Sequence, residues 1–537
     1  MRNLRNGKKK EHQGKEKLNL RLKDFLKVHA FKISAVLVFG LISAVMVGET
    51  LNPLHILGRF LITGLLFLIF YRDILRYKPD YIKKYRMILL LGILVIFTVI
   101  IGRGFQYFFQ NFSIGIGLSA PEAAIYGMPI PAGAILVALI FDFHTAIIFS
   151  FIVSLFTGLW AGEAFYPIYA FVGSLVGAFS VMKCKKRTDI LRGGLYVSAA
   201  NVFTLLGILL FTDRIFTNYS TMAMIYAISS GIIISSVVSL MLPIIETTFK
   251  VTTDITLLEL LDLNQPIMKN LMITAPGTYH HSIIVGNLVE SVADDIGVNP
   301  LLARVSAYYH DIGKMRMPEY FVENQRGTVS RHERLTPHMS SMILIAHVKE
   351  GTEIAREYNL PEPIIDIIEQ HHGTCLMTYF FQKAKDSGND EPSEDEYRYH
   401  GPKPQSRVAA LVMLADAVEA ASRVLKDPTP ARIESLVDKI INHIFIDGQL
   451  EECELTLKDI SNIKKKFTYI LTGILHKRID YPGFEFEEKT PVSDGKQNVG
   501  KNTGGKAGTD NDDNHKKPSE KDRNKPEKAA DLTRTTG

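Results

Sequence analysis

The stretch PLLARVSAYYHDIGK (300–314) reads as a helix whose end carries chemistry. Pro300 suits a first helical position, and Gly313 marks the stop. The adjacent His310 and Asp311 fall at that stop, and Lys314 follows three residues after the aspartate. One histidine turned inward is usually a hydrogen-bonded core group, so the pair gains meaning only from its neighbours. In PGTYHHSIIVGNLVESVADDIG (276–297) the apolar stripe Val285, Leu288, Val292 passes through His281, while His280 lies about 100° round the helix with Asn287 and Ser291. Thr278 is the expected cap there and Gly297 the stop. A third helix has Thr336 as cap, Pro337 at its first position and Gly351 after its end, with Met339 and Ile343 leading to His347. His332 and His338 read as surface residues. PIIDIIEQHHG (363–373) delivers His371 and His372 at its final turn, and the fifth segment, RVAALVMLADAVEAA (407–421), sets Asp416 in a small-residue core stripe. A carboxylate paired with Arg423 is the bland alternative for Asp416. Buried carboxylates without compensation cost several kcal/mol, so five such helices together call for cations.

Imidazoles and two carboxylates without a thiolate suit divalent Mn, Fe, Co or Zn. The three cysteines, Cys184, Cys375 and Cys453, form no CxxC pair and no disulfide framework. The ligand count is enough for two ions, which Asp311 can bridge, and such a pair suits in-line hydrolysis of a phosphate ester.

Outward from this half, the composition changes. Of 537 residues 47% are hydrophobic, and the apolar ones crowd into the first half. Runs at about 33–51, 54–71, 87–102, 128–143, 145–160, 165–182, 195–212 and 224–243 are each long enough to cross about 30 Å of hydrocarbon. A protein that is soluble throughout is excluded. The net charge of +5 reflects a basic N-terminal tail, residues 1–32, and the basic loops 72–86 and 183–194, which membrane topology explains better than nucleic-acid binding. By the same rule the N-terminus and both loops face the cytoplasm. No small-residue cleavage site follows Val47, so the first run reads as a span rather than a signal peptide. The polar Asp142 and Thr145 read as the wet end of a hairpin, and no span resembles the broken helices of transporters. The expected plan is a tail (1–32), a transmembrane domain of about eight spans (33–245), a linker helix (246–275), a helical domain (276–487) holding most of the chain's histidines, and a disordered tail (488–537).

The order His, His-Asp, His, His-His, Asp resembles the HD-domain metal-dependent phosphohydrolases. GTYHHS (277–282), YYHDIGK (308–314), PEYFVENQ (318–325), QHHGT (370–374), GPKPQS (401–406) and LADAVEA (414–420) are similar to the membrane-bound HD phosphodiesterases of the PgpH type, seven-transmembrane receptors with an intracellular HD hydrolase. The resemblance implies an all-α protein: a polytopic helical membrane domain followed by a cytoplasmic all-helical HD phosphohydrolase, in a bacterial plasma membrane. It implies hydrolysis of cyclic di-AMP to pApA at two divalent ions, Mn or Fe. One ion would take His281, His310, Asp311 and Asp416; the other would take Asp311, His347 and His371. His372 would be a further ligand or a phosphate contact, and Lys314 would steady the scissile phosphate. Cyclic di-AMP and membrane lipid are the implied partners, a homodimer is left open, and no nucleic-acid polymer is expected. Family members usually carry a large extracytoplasmic domain after the first span, where this sequence has a few residues. No GYP triplet follows His371-His372, unlike the cyclic di-GMP enzymes. Another HD nucleotide or alarmone hydrolase, or a receptor whose HD region only binds ligand, are the competing functions.

Overall fold

The structure, a computed structural model, describes residues 32–48, 52–78, 81, 85–161, 163–182, 184, 186–325, 330–387 and 392–475. The N-terminal tail up to residue 31 and the tail expected to be disordered lie outside them. Among the described residues everything regular is helical, apart from a single bridge between Leu376 and Arg398. Eight apolar helices come first: α1 (Lys32–Met46), α2 (Pro53–Tyr77), α3 (Tyr85–Gly115), α4 (Pro131–Ile140), α5 (Phe143–Ala161), α6 (Tyr166–Ser180), α7 (Arg187–Phe211) and α8 (Asn218–Phe249). Two short helices follow, α9 (Asp254–Leu260) and α10 (Pro266–Thr274). The remaining helices are α11 (Pro276–Ala293), α12 (Pro300–Tyr309), α13 (Pro337–Glu357), α14 (Glu362–Gln370), α15 (Thr378–Asp386), α16 (Arg407–Ser422), α17 (Pro430–Ile446) and α18 (Leu457–Ile474).

The apolar bundle turns large hydrophobics outward, among them Leu54, Leu61, Phe203, Ile232 and Leu240. Inside, α7 and α8 approach closely because Gly194 and Gly231 face each other, and Ser198 donates to the Ile228 carbonyl at 2.7 Å. Small residues and short interhelical hydrogen bonds are how helices associate in lipid. Just before the expected fourth run lies a 3₁₀ segment, Pro121–Gly127, joined to α4 through Met128 to Ile130. Nearly all of it is buried, so neighbouring helices rather than lipid surround the irregular backbone. At the α4–α5 turn Asp142 accepts from the Thr145 amide at 2.9 Å and from Tyr81, with Lys78 at 3.7 Å.

Residues 246–275 are not one linker helix. Helix α8 stops at Lys250, whose φ of 53° is left-handed, Thr253 caps α9, and Pro266 opens α10. Arg187, the first residue of α7 within the basic stretch 183–194, pairs with Glu259 of α9 at 2.7 Å, so that stretch lies on the side where the second half begins. In the second half, α16 runs through the core with Val408 to Ala415 and Val418 buried, and α11, α12, α14 and α17 pack round it.

Gly351 does not end the third helix. Helix α13 continues to Glu357, and Gly351 sits where it meets the 3₁₀ turn Ile312–Arg316. A Cβ on Gly313 would overlap the His347 carbonyl oxygen and stand 2.5 Å from the Gly351 nitrogen. Gly313→Ala should therefore cost about 2–3 kcal/mol by overpacking and separate Asp311 from His347. Thermal melts and metal content are the measurements, and an unchanged melting point with full metal loading would contradict this packing argument.

Candidate metal centre

Each chemical side chain is delivered by a helix end or a helix face set by local sequence. Asn299 caps α12, which ends one residue before His310; the chain then turns 3₁₀ through Gly313, which leaves His310 and Asp311 pointing into the core. His281 lies on the buried face of α11 and His280 on its exposed face. Thr278 is not the cap of α11. Asn324 fills that role, accepting from the amides of Gly277 and Thr278 at 2.9 and 3.2 Å, while Thr278 donates to Glu323 at 3.0 Å. Thr336 caps α13 as expected, but Met339 is 47% exposed, and the inward face that carries His347 runs through Ser340 and Gly351 instead. His371 and His372 follow the last residue of α14, and Asp416 is on α16.

Eight residues singled out in the sequence converge: His281, His310, Asp311, Lys314, His347, His371, His372 and Asp416. Asp311 is 1% exposed and lies between two groups. Its Oδ2 is 3.3 Å from His310 Nε2 and 3.6 Å from His281 Nε2, and its Oδ1 is 3.4 Å from His347 Nε2 and 3.6 Å from His371 Nε2. Asp416 Oδ1 lies 2.9 Å from His281 Nε2, and Asp416 Oδ2 lies 3.7 Å from His372 Nδ1. Two sets of four ligands, each able to hold an ion, share Asp311: His281, His310, Asp311, Asp416 and Asp311, His347, His371, His372.

The hydrogen bonding shows that these groups fit cations. His310 Nδ1 faces the Ala307 carbonyl and His371 Nδ1 the Ile368 carbonyl, both at 2.7 Å, and His347 Nδ1 faces the Leu344 carbonyl. A carbonyl oxygen can only accept, so Nδ1 of each ring carries a proton and Nε2 is the atom left facing the centre. His347 and His371 turn their Nε2 atoms toward each other at 3.3 Å, an approach that a shared proton or an ion between them satisfies. His281 Nε2, His310 Nε2 and both Asp311 oxygens are buried without a hydrogen bond, although charged partners stand close. Orphans of this kind are costly in a dry site and are explained by ions.

Electrostatics agree. Burial opposes ionisation of Asp311 and Asp416, but His310 and Lys314 outweigh it for the first and His281 and His310 for the second, holding both carboxylates well below their usual range. Burial also opposes charge on His310, yet Asp311 and Asp416 hold its pKa up to about 10. His347 has the opposite balance: burial, helped by His371 and Lys314, pushes it down to about 3. Lys314 Nζ lies 2.6 Å from Asp311 and 3.1 Å from Glu323, which keep it charged despite burial.

Three participants escaped the sequence reading. Glu419, three residues after Asp416 and therefore on the same helix face, takes up Arg423, so Arg423 does not neutralise Asp416. Glu323 holds Lys314, and Tyr399 stacks on the His372 ring with centroids 4.2 Å apart. His332 is half-buried rather than a surface residue, since its Nε2 donates to the Tyr320 carbonyl at 2.7 Å and its ring rests on Phe380. Cavities of about 330 and 580 Å³ reach the centre, the first beside His281 and Lys314 and the second beside His372 and Tyr399.

The helix-face argument has a direct check. His281→Ala should lose the ion of its own set, whereas His280→Ala, one residue away on the exposed face, should keep full metal content. Equal metal loss in both would undo the assignment of faces.

Residues 278–421 match the HD domain family, and residues 53–253 match the family described as 7TM receptor with intracellular HD hydrolase. The chain is a membrane HD-domain protein. Its HD and membrane parts are similar to the cyclic-di-AMP phosphodiesterase PgpH of Bacillus subtilis (strain 168), 40% identical over 365 residues, which are 66% of this chain and 51% of that protein. The PgpH of Listeria monocytogenes serotype 1/2a (strain 10403S) is 42% identical over 341 residues, 63% of this chain and 47% of that one. The chain thus spans about half the length of these relatives. The crystal structure of the L. monocytogenes PgpH HD domain in complex with cyclic-di-AMP is 49% identical, covers 40% of this chain and 100% of its own, and has a TM-score of 0.38.

Proposed function

We propose that this protein is a membrane-anchored, metal-dependent phosphodiesterase that hydrolyses cyclic di-AMP to pApA. The observation that carries the reading is Asp311, with one oxygen toward each of two histidine groups in a water-poor centre. The activity printed for the relatives supplies the substrate class. Mn or Fe suits this imidazole-rich, thiolate-free donor set, with His281, His310, Asp311 and Asp416 around one ion and Asp311, His347, His371 and His372 around the other. Bound ions would supply Lewis acidity and an acidified water. The chain's own work is to hold the phosphate in line, to keep bulk water out, and to offset developing charge with Lys314. Water adds across one P–O3′ bond: its oxygen joins phosphorus, and its hydrogen ends on the released 3′ hydroxyl.

Residues 33–245 would cross a bacterial plasma membrane eight times, with the N-terminus and the HD domain in the cytoplasm. The Arg187–Glu259 pair supports that arrangement, since it ties a basic, inward-facing loop to the start of the second half. The test is product analysis with the full chain in detergent and Mn. pApA from cyclic di-AMP is the expected product. Phosphate or pyrophosphate released from mononucleotides, with cyclic di-AMP untouched, would replace this reading with that of another HD phosphohydrolase.

A further inference from the structure

The histidines that meet at Asp311 are not backed alike. His310, His347 and His371 each turn Nδ1 to a neutral carbonyl three residues earlier in their own helix. His281 turns Nδ1 to Glu419 Oε2 at 2.5 Å, a carboxylate on another helix and only 2% exposed. Glu419 is one turn beyond Asp416 on α16, so the same helix face meets both nitrogens of the His281 ring: Asp416 on the Nε2 side and Glu419 on the Nδ1 side. Arg423, a further turn on, fixes Glu419 through three contacts, Nε to Oε1 at 2.8 Å, Nη2 to Oε1 at 2.7 Å and Nε to Oε2 at 3.0 Å.

We propose that Glu419 is the positioning residue of the ion held by His281, His310, Asp311 and Asp416, with Arg423 as its anchor. The inference rests on the metal-dependent reading above and adds to it an asymmetry between the two ions. A carboxylate that accepts from Nδ1 fixes the ring orientation and the tautomer, and it makes Nε2 a stronger donor than carbonyl backing does. The ion at His281 therefore depends on a charged outer partner, whereas His347 and His371 at the other ion are backed by helix carbonyls. A purely structural ion pair between Glu419 and Arg423 would leave metal affinity untouched, and that difference is measurable.

The full chain in detergent is titrated with Mn²⁺, with bound metal counted after equilibrium dialysis, for wild type, Glu419→Gln, Glu419→Asp and Arg423→Met. Glu419→Gln should weaken one of the two ions by about 10–100-fold and leave the other as in wild type, since losing such outer partners typically has that effect. Glu419→Asp, which keeps the charge, should recover part of the loss, and Arg423→Met should show a smaller shift of the same ion. Turnover of Glu419→Gln should return toward wild type at high Mn. Two ions bound at wild-type affinity in folded Glu419→Gln would overturn the proposal, as would equal weakening of both ions. A wild-type protein that binds two Mn ions without cleaving cyclic di-AMP would remove the proposed substrate yet leave the Glu419 comparison readable. A wild-type protein that binds no Mn would remove both.

Discussion

Asp311→Asn is expected to release both ions and to lower turnover by at least about a thousandfold, or roughly 4 kcal/mol of barrier. The substitution keeps the side-chain volume, so the surrounding packing should survive. What it removes is the negative charge between two groups of imidazoles. Asp311 Oδ2 faces His310 and His281, and Oδ1 faces His347 and His371, so among the described residues Asp311 alone serves both ligand sets. An amide offers one oxygen in place of two, and its NH₂ would point donors at an Nε2 lone pair or at a cation. Asp416→Asn is the graded control. Asp416 belongs only to the set with His281 and His310, so its loss should empty that position first. Metal counted by mass spectrometry, together with pApA quantified by chromatography, measures the effect. Asp311→Asn with near wild-type metal and turnover would show that the reacting centre lies elsewhere.

Much of this site could be read from sequence because its supports are local. Caps and first-turn prolines, such as Asn299-Pro300, Thr336-Pro337 and Ser406, act within a few residues, and the structure has helices starting at each. The 3.6-residue period separates His281 from His280 without any tertiary knowledge. What stayed hidden depends on contacts between distant segments. Gly351 looks like a stop, yet its meaning comes from Gly313 passing beside it, while α13 turns Ser340 inward and Met339 outward. Thr278 has the chemistry of a cap, but Asn324 reaches the same amides from a loop 46 residues along. The 3₁₀ segment Pro121–Gly127 lies outside the apolar runs, and packing by α3 and α8 is what buries it. Glu419 could have been found, since a carboxylate one turn from Asp416 shares its face. The sequence does not say, however, which of the two Arg423 neutralises.

Lys314→Met should separate catalysis from metal binding. With ions present, Asp311 is compensated by them, so losing the ammonium 2.6 Å away should leave metal content near wild type. The developing negative charge on the phosphoryl oxygens then loses a preorganised cation in a dry site, a loss typically of about 10²–10³ in kcat, or roughly 3–4 kcal/mol. KM should change far less, because the benefit is realised mainly in the transition state. Lys314→Arg should not restore the rate. The Nζ sits in a space bounded by Asp311, Glu323 at 3.1 Å and the Phe321 ring, whose centroid is 5.1 Å away, and that space fits a compact point charge rather than a planar fork. Glu323→Gln gives the complementary result: it keeps Lys314 but loosens its hold, so kcat should fall less than in Lys314→Met. Steady-state kinetics at saturating Mn read all three variants. Wild-type kcat in Lys314→Met, with both ions bound, would make this lysine a partner of Asp311 in the metal-free protein only, and the charge offset would have to come from the ions alone.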